Sequence, residues 1–257
     1  MRNSRDAGLS LIEATIIVAA MSTLAAILAP TIADYIETSK DVRVNADTEL
    51  IGAALTRMLT DTGEIAFLMD GNGGGAAFST NPPSHLTANR VDMLVSDGVT
   101  PAIAAGQTRA AGTDWDDALV GAGTGVVQTL RDHLVRNMPS ATALNRYRNA
   151  ADMNIPNNFD PVDGGAFNAE YAWRGAYLQE PVGPDPWGYR YGVNVEFWAK
   201  ATGVGVGVSG SVNDVFVLST GRDGVADTPF ETLATAGRDG ATALGDDVIY
   251  VVSGGTR

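Results

Sequence analysis

The chain has 257 residues, 17 of them basic and 30 acidic, for a net charge of −13; that imbalance argues against a nucleic-acid partner held through its phosphates. It has no cysteine, which excludes disulfides and thiolate metal sites and fits an envelope or secreted protein that does not depend on oxidative folding. Its two histidines, His85 and His133, leave little for histidine-based catalysis and read as ordinary surface residues, while 30 glycines and 7% aromatics imply a loop-rich head with a modest core.

Residues 1–8 ("MRNSRDAG") form a short leader, net positive through Arg2 and Arg5, and the positive-inside bias keeps it cytoplasmic. A secretory signal carries its small cleavage residue after the apolar run. Here Gly8 comes before the run, so a cut there leaves the apolar segment in place as an anchor. Residues 14–33 carry no charge, and twenty helical residues at about 1.5 Å each span roughly 30 Å, a bilayer's hydrocarbon thickness. Glu13 opens this run with no Lys or Arg within four residues on either side. An acid within a bilayer costs at least ~2.5 kcal/mol, so Glu13 either snorkels to water or finds a partner outside its own helix.

One long helix is predicted over residues 9–61, because no glycine occurs between Leu9 and Gly52. Its only proline, Pro30, is expected to kink or locally loosen it. Residues 9–33 form its membrane-spanning or filament-core part. Residues 34–62 are amphipathic, with Ile36, Val44, Ile51, Leu55, Met58 and Leu59 at helical spacing. Residues 63–170 read as a variable, loop-rich insertion with a short helix near 125–138, ended by Pro139. From residue 171 strands dominate, at 189–200, 204–212, 214–220 and 247–254. A helix followed by strands predicts an α+β fold in which the helix packs on a C-terminal antiparallel β-sheet head, residues 171–257.

Two stretches of the head stand out. Asp185, Pro186, Trp187 and Gly188 form a turn that points Trp187 inward, a packing role. Asp223, Asp227, Asp239, Asp246 and Asp247 cluster between two strands, among Gly221, Gly224, Gly237, Gly240 and Gly245, which let carbonyls turn inward. Ca²⁺ takes six to eight hard oxygen ligands, and such a loop supplies them. "GRDG" occurs at 221–224 and again at 237–240, so Asp223 and Asp239 are alternative ligands. Other motifs fail. "GAGTG" (121–125) lacks the third glycine of a dinucleotide fingerprint, and "GVSGS" (207–211) is not a nucleophile elbow. "DGNGGG" (70–75) lacks EF-hand ligands, and Asp152, Asn154, Asp160 and Asp163 make a weak second calcium candidate. No catalytic constellation survives, so the chain is not expected to be an enzyme.

Gly8, Glu13 and Pro30, in register inside an apolar span, resemble the N-terminus of the type IV pilin and pseudopilin superfamily. "AYLQEPVGPDPWGYRYGV" (176–193) is similar to the Pro-Asp-Pro-Trp-Gly segment of the major pseudopilins of type II secretion systems. "DVFVLSTGRDG" (214–224) and "GDDVIYVV" (245–252) are similar to their calcium loop and last strand. The resemblance implies cleavage by a prepilin peptidase between Gly8 and Leu9, methylation of Leu9, and assembly through Glu13 and Pro30. In the filament, Glu13 would meet the terminal amine of a neighbouring subunit. The implied metal residues are Asp223, Asp239, Asp246, Asp247 and Leu218, holding calcium. Implied partners are further copies in a helical filament, the peptidase, an inner-membrane assembly platform, minor pseudopilins and the membrane itself, with no nucleic acid. The implied location is the bacterial inner membrane, with the N-terminus cytoplasmic and the head in the periplasm, feeding a periplasmic or surface filament for protein secretion. An adhesive or minor pilin with an enlarged, ligand-binding head is the alternative, and a membrane-anchored periplasmic enzyme a third reading that lacks a catalytic cluster.

Overall fold

A computed structural model describes residues 10–62, 91–104, 115, 127–139, 147, 173–197, 214–230 and 242–253. The chain divides into two compact units, Met1–Arg43 and Val44–Arg257. The fold is α+β, with a long apolar N-terminal helix followed by a mixed sheet.

Helix α1 (Leu11–Thr62) is 52 residues long and stays helical through Pro30. The proline has no N–H for the carbonyl of Ala26, so one rung is missing but the helix continues. Thr15, Ser22, Thr23 and Thr31 turn their hydroxyls back onto carbonyls three or four residues earlier, so these polar groups are satisfied within the helix. Leu11, Ile12, Ile16, Met21, Leu24, Ile27 and Ile32 are each more than half exposed. This part of the helix is long and apolar enough to cross a membrane.

In the second unit the same helix buries Val44, Ile51, Leu55, Met58 and Leu59 at the expected spacing. Ile36, expected on that stripe, is exposed. The remaining elements are β1 (Met93–Val95), β2 (Ala102–Ile103), β3 (Val127–Thr129), α2 (Leu130–Leu134), β4 (Gly192–Val193), a 3-10 turn at Val195–Phe197, β5 (Val215–Ser219), β6 (Val225–Ala226) and β7 (Val248–Ser253). Among the described residues, the main sheet has the order β3-β1-β4-β5-β7, and β2 pairs with β6 alongside it.

The sheet is mixed, a correction to the antiparallel head expected from the sequence. β4, β5 and β7 pair antiparallel, but β1 and β3 run parallel, with Met93 opposite Val127. Both of those strands come from the stretch read as an insertion. The connection between them, roughly thirty residues, is long enough for a parallel crossover. The helix expected near 125–138 shrinks to α2, because the β-branched residues before it join the sheet and Thr129 caps the helix start. Its Oγ1 accepts the Asp132 N–H (3.2 Å) and donates to Asp132 Oδ2 (2.7 Å). The strand expected over 189–200 is similarly cut short at Asn194. That side chain accepts from the Phe216 N–H (2.8 Å) and donates to the carbonyls of Asp214 and Phe230 (both 3.0 Å), replacing ladder bonds. The strand expected over 204–212 lies outside the described residues.

All five residues of β5 are buried. Val215 and Val217 join the helix-side core with Leu55, Leu94, Tyr191 and Val193. Phe216 and Leu218 face the other way, with Met93, Val95, Trp115 and Phe230. Trp115 packs edge-on against Phe216 and Phe230, with ring centroids 5.9 and 5.0 Å away. Helix and sheet approach closely at Gly52, where a Cβ would lie 2.6 Å from the Tyr250 ring.

His133 corrects a second expectation, because it is fully buried rather than on the surface. Its Nε2 lies 2.5 Å from Gln128 Oε1 and its Nδ1 2.9 Å from the Tyr147 hydroxyl. Nε2–H donates to the amide oxygen, and Nδ1 accepts from the phenol, which is the neutral tautomer. Tyr147 is itself held by Asn137, whose amide donates to the Tyr147 carbonyl (2.8 Å) and accepts its N–H (2.7 Å). Burial pushes the His133 pKa down from 6.5 to about 3. A depressed folded-state pKa means that the stabilisation is complete above 6.5 and is lost as pH falls through that value toward about 3. Acidification to about pH 5 is expected to cost about 1–2 kcal/mol through this group. Thermal melts from neutral to mildly acid pH check this: a His133→Gln variant, less stable throughout, has the flatter profile, since other titrations are common to both proteins.

Candidate functional site

The end of β5 delivers the chain into a tight acidic loop. Asp223, Asp227 and Asp246 each offer a carboxylate oxygen, and these oxygens all lie within 4.8 Å of one another. Asp223 and Asp246 are exposed and Asp227 is half-buried, so the cluster opens to solvent. Main-chain donors set its geometry. Asp246 Oδ2 accepts from the N–H groups of Arg222 (2.7 Å) and Asp223 (3.0 Å), while Asp223 Oδ1 accepts from Val225 (2.9 Å). The bond from Val225 pulls the Asp223 pKa down, but desolvation and the neighbouring Asp246 and Asp227 carboxylates outweigh it and the net shift is upward.

Asp247 stands behind the cluster. Its Oδ2 accepts from the N–H groups of Asp227 (3.0 Å) and Thr228 (2.6 Å), which fixes where Asp227 leaves β6. Burial raises its pKa to about 6, against these stabilising bonds. Trp115 Nε1 donates to the Thr228 carbonyl (2.7 Å), so the loop is also anchored to the far-side core.

Glycine geometry keeps the acids close. Gly221 and Gly245 have φ of +62° and +63°. A Cβ at Gly221 would fall on the Asp246 carbonyl, and one at Gly245 on the Asp227 carboxylate. Among the described residues, two buried oxygens that adjoin Gly221 and Asp246 in the chain, Thr220 Oγ1 and Asp247 Oδ1, have no hydrogen-bond partner, a condition shared by Arg131 Nε and Trp173 Nε1 away from the loop. Three converging hard carboxylate donors, brought together by the close approach that the glycines allow, fit a hard cation such as Ca²⁺.

Among the residues singled out from the sequence, Asp223 and Asp246 come together here. Asp247 acts on the main chain behind them, and Asp239 lies outside the described residues. Leu218 lies in the centre of the sheet between Gly192 and Ile249, with its side chain buried in the far-side core. The third carboxylate is Asp227, which the sequence places in the cluster without marking it as a ligand. The β6 pairing that turns its chain back toward Asp246 is a long-range contact with β2. His85, the 70–75, 121–125 and 207–211 motifs and the weak calcium candidate around 152–163 also lie outside the described residues.

Residues 185–188 form a turn, with Gly188 at φ +100° and a bond from Gly188 N–H to the Asp185 carbonyl (2.9 Å). Trp187 is half-buried against the helix-side core, and Asp185 is the more deeply buried residue, only 3% exposed. Asp185 Oδ1 accepts from the Trp187 (3.0 Å) and Tyr189 (2.8 Å) N–H groups, and its Oδ2 accepts from Ser219 Oγ (2.7 Å).

At the other end of the chain Glu13 has a local partner, a neutral one within its own first turn rather than a cation or a group outside the helix. Its Oε2 accepts from the Ser10 N–H (2.9 Å), and Ser10 Oγ accepts from the Glu13 N–H (3.2 Å), a reciprocal capping box at the start of α1. Gly8 and Leu9 lie outside the described residues.

Comparison with known proteins finds no matching protein-family model, no matching curated protein and no matching solved structure.

Gly221 is tightly constrained, since the atom that a side chain would strike is main chain. Gly221→Ala is expected to cost at least about 1 kcal/mol from the left-handed φ alone. That lowers the melting temperature by about 2–4 °C for a domain of this size, as read by thermal unfolding.

Proposed function

We propose that this chain is a subunit of a type IV pilus-like filament, the pseudopilus of a type II secretion system, assembled through the first half of α1. The observation that carries the reading is the division of one helix. From Leu11 to Ile32 its large apolar side chains are exposed, whereas from Val44 onward its apolar stripe is buried in an α+β head. A helix segment whose large apolar side chains are exposed needs lipid before assembly and other such helices afterwards. The sequence resemblance at Gly8, Glu13 and Pro30 selects this reading over a simple membrane anchor.

Glu13 takes part at the cytoplasmic end. One carboxylate oxygen caps the helix through Ser10, and Oε1 accepts no bond among the described residues. That oxygen is available to a terminal ammonium from a neighbouring copy, so capping and pairing are compatible. Such a pair compensates desolvation only once the rods bundle, which selects the correct axial stagger. With a prepilin peptidase co-expressed, the protein is expected to lose residues 1–8 and Gly8→Leu to retain them, as read by mass spectrometry. Glu13→Ala is expected to be processed and membrane-inserted yet to form no filament by electron microscopy. Unchanged processing of the Gly8 variant ends this reading.

The head would carry calcium at Asp223, Asp227 and Asp246, with Asp247 holding the main chain behind them. Calcium, when bound, neutralises the repulsion of the three carboxylates. Residues 221–227 and 244–247 are thereby held together beside β5 and β7. At a concentration of 100 times its Kd, calcium is expected to stabilise the folded chain by about 2.7 kcal/mol. Melts of the full chain in detergent, with calcium and with chelator, read that increment, and Asp246→Asn is expected to abolish it.

A further inference from the structure

The 185–189 turn does more than bury Trp187. Asp185 is almost fully buried, and three donors converge on its carboxylate, two of them main-chain N–H groups of its own turn. Converging donors are how a protein retains a carboxylate away from water. The third donor, the Ser219 hydroxyl, belongs to the last residue of β5. Because that hydroxyl donates to Asp185, its lone pairs are left to accept, and it receives the Gly221 N–H at 3.4 Å. Gly221 in turn lies directly against the Asp246 main chain.

A second contact comes from the same turn. The Tyr189 ring lies on Gly224, where any Cβ would overlap it. The Gly224 carbonyl accepts the Ala102 N–H (2.8 Å), which holds this point from the other side. Between the two fixed glycines lie Arg222 and Asp223, whose N–H groups both reach Asp246 Oδ2. The spacing of the Asp223 and Asp246 carboxylates therefore depends on where residues 185–189 hold Gly221 and Gly224.

We infer that Asp185, Ser219 and Tyr189 are positioning residues for the acidic loop, fixing residues 221–224 so that Asp223 and Asp246 face one cation. This rests on the calcium reading above. None of the three needs to touch the ion: Asp185 acts through Ser219 and Gly221, and Tyr189 acts through Gly224.

The test measures Ca²⁺ affinity of the full chain in detergent by titration calorimetry, together with melting temperature in chelator. Asp185→Asn places an amide donor against donors, and Ser219→Ala removes the link while leaving the turn intact. Each is expected to bind Ca²⁺ roughly tenfold more weakly, the scale of one lost charge-assisted hydrogen bond. Tyr189→Phe, which keeps the ring, is expected to bind as the unmodified protein does. Leu55→Ala, in the helix-side core, is the structural control: it lowers the melting temperature and leaves affinity unchanged. If the unmodified protein binds Ca²⁺ while Asp185→Asn and Ser219→Ala bind it equally well, the positioning role is overturned and the calcium reading stands. A Leu55→Ala affinity loss as large as theirs also overturns the positioning role, because general destabilisation then explains all three. An unmodified protein that binds no Ca²⁺ overturns the calcium reading and this inference with it.

Discussion

The strand Val215–Ser219 has no face toward water, and both core clusters of the described residues pack against it. Its odd residues, Val215 and Val217, require an apolar layer on one side, which the stripe of α1 from Val44 to Leu59 supplies. Its even residues, Phe216 and Leu218, require another, built from Met93, Val95, Trp115 and Phe230. Alternation along a strand makes the two requirements independent, so one five-residue segment organises two cores. The strand also ends at Ser219, one residue before the loop that gathers the acids. The rigidity of a doubly covered strand is thus passed directly to the candidate site.

Buried polar groups set the details that apolar packing leaves open. Asn194 replaces ladder bonds where β4 ends, Asn137 and His133 hold Tyr147 against α2, and Asp185 ties a turn to β5. Each is satisfied by several partners at once, as burial demands. In the acidic loop three carboxylates converge and burial raises the Asp247 pKa, a concentration of like charge that packing does not require.

The long helix meets two environments with one backbone. Toward its start, hydroxyls bond within the helix and the first turn is closed by Ser10 and Glu13, so few polar groups are left for an apolar medium to penalise. Toward its end, Gly52 removes a side chain where Tyr250 packs against the helix. The capping box also changes how Glu13 is understood. Its carboxylate has a use in the isolated chain, so its presence in an apolar segment does not by itself require a second subunit.

Local chemistry in the sequence was enough for several elements. An uninterrupted helical run, the apolar spacing from Val44 to Leu59, the β-rich segments at 214–220 and 247–254 and the Asp-Pro-Trp-Gly turn all depend on residues close together in the chain, so their pattern is visible there. What required long-range contacts was not visible. The parallel pairing of β1 with β3 joins segments roughly thirty residues apart through a stretch whose composition reads as loop. His133 is buried because Gln128 and Tyr147 close around it, and Asp227 joins Asp223 and Asp246 because β6 pairs with β2. A sequence displays which groups could be ligands or core, whereas which of them meet is decided by strand register and by the burial that register imposes.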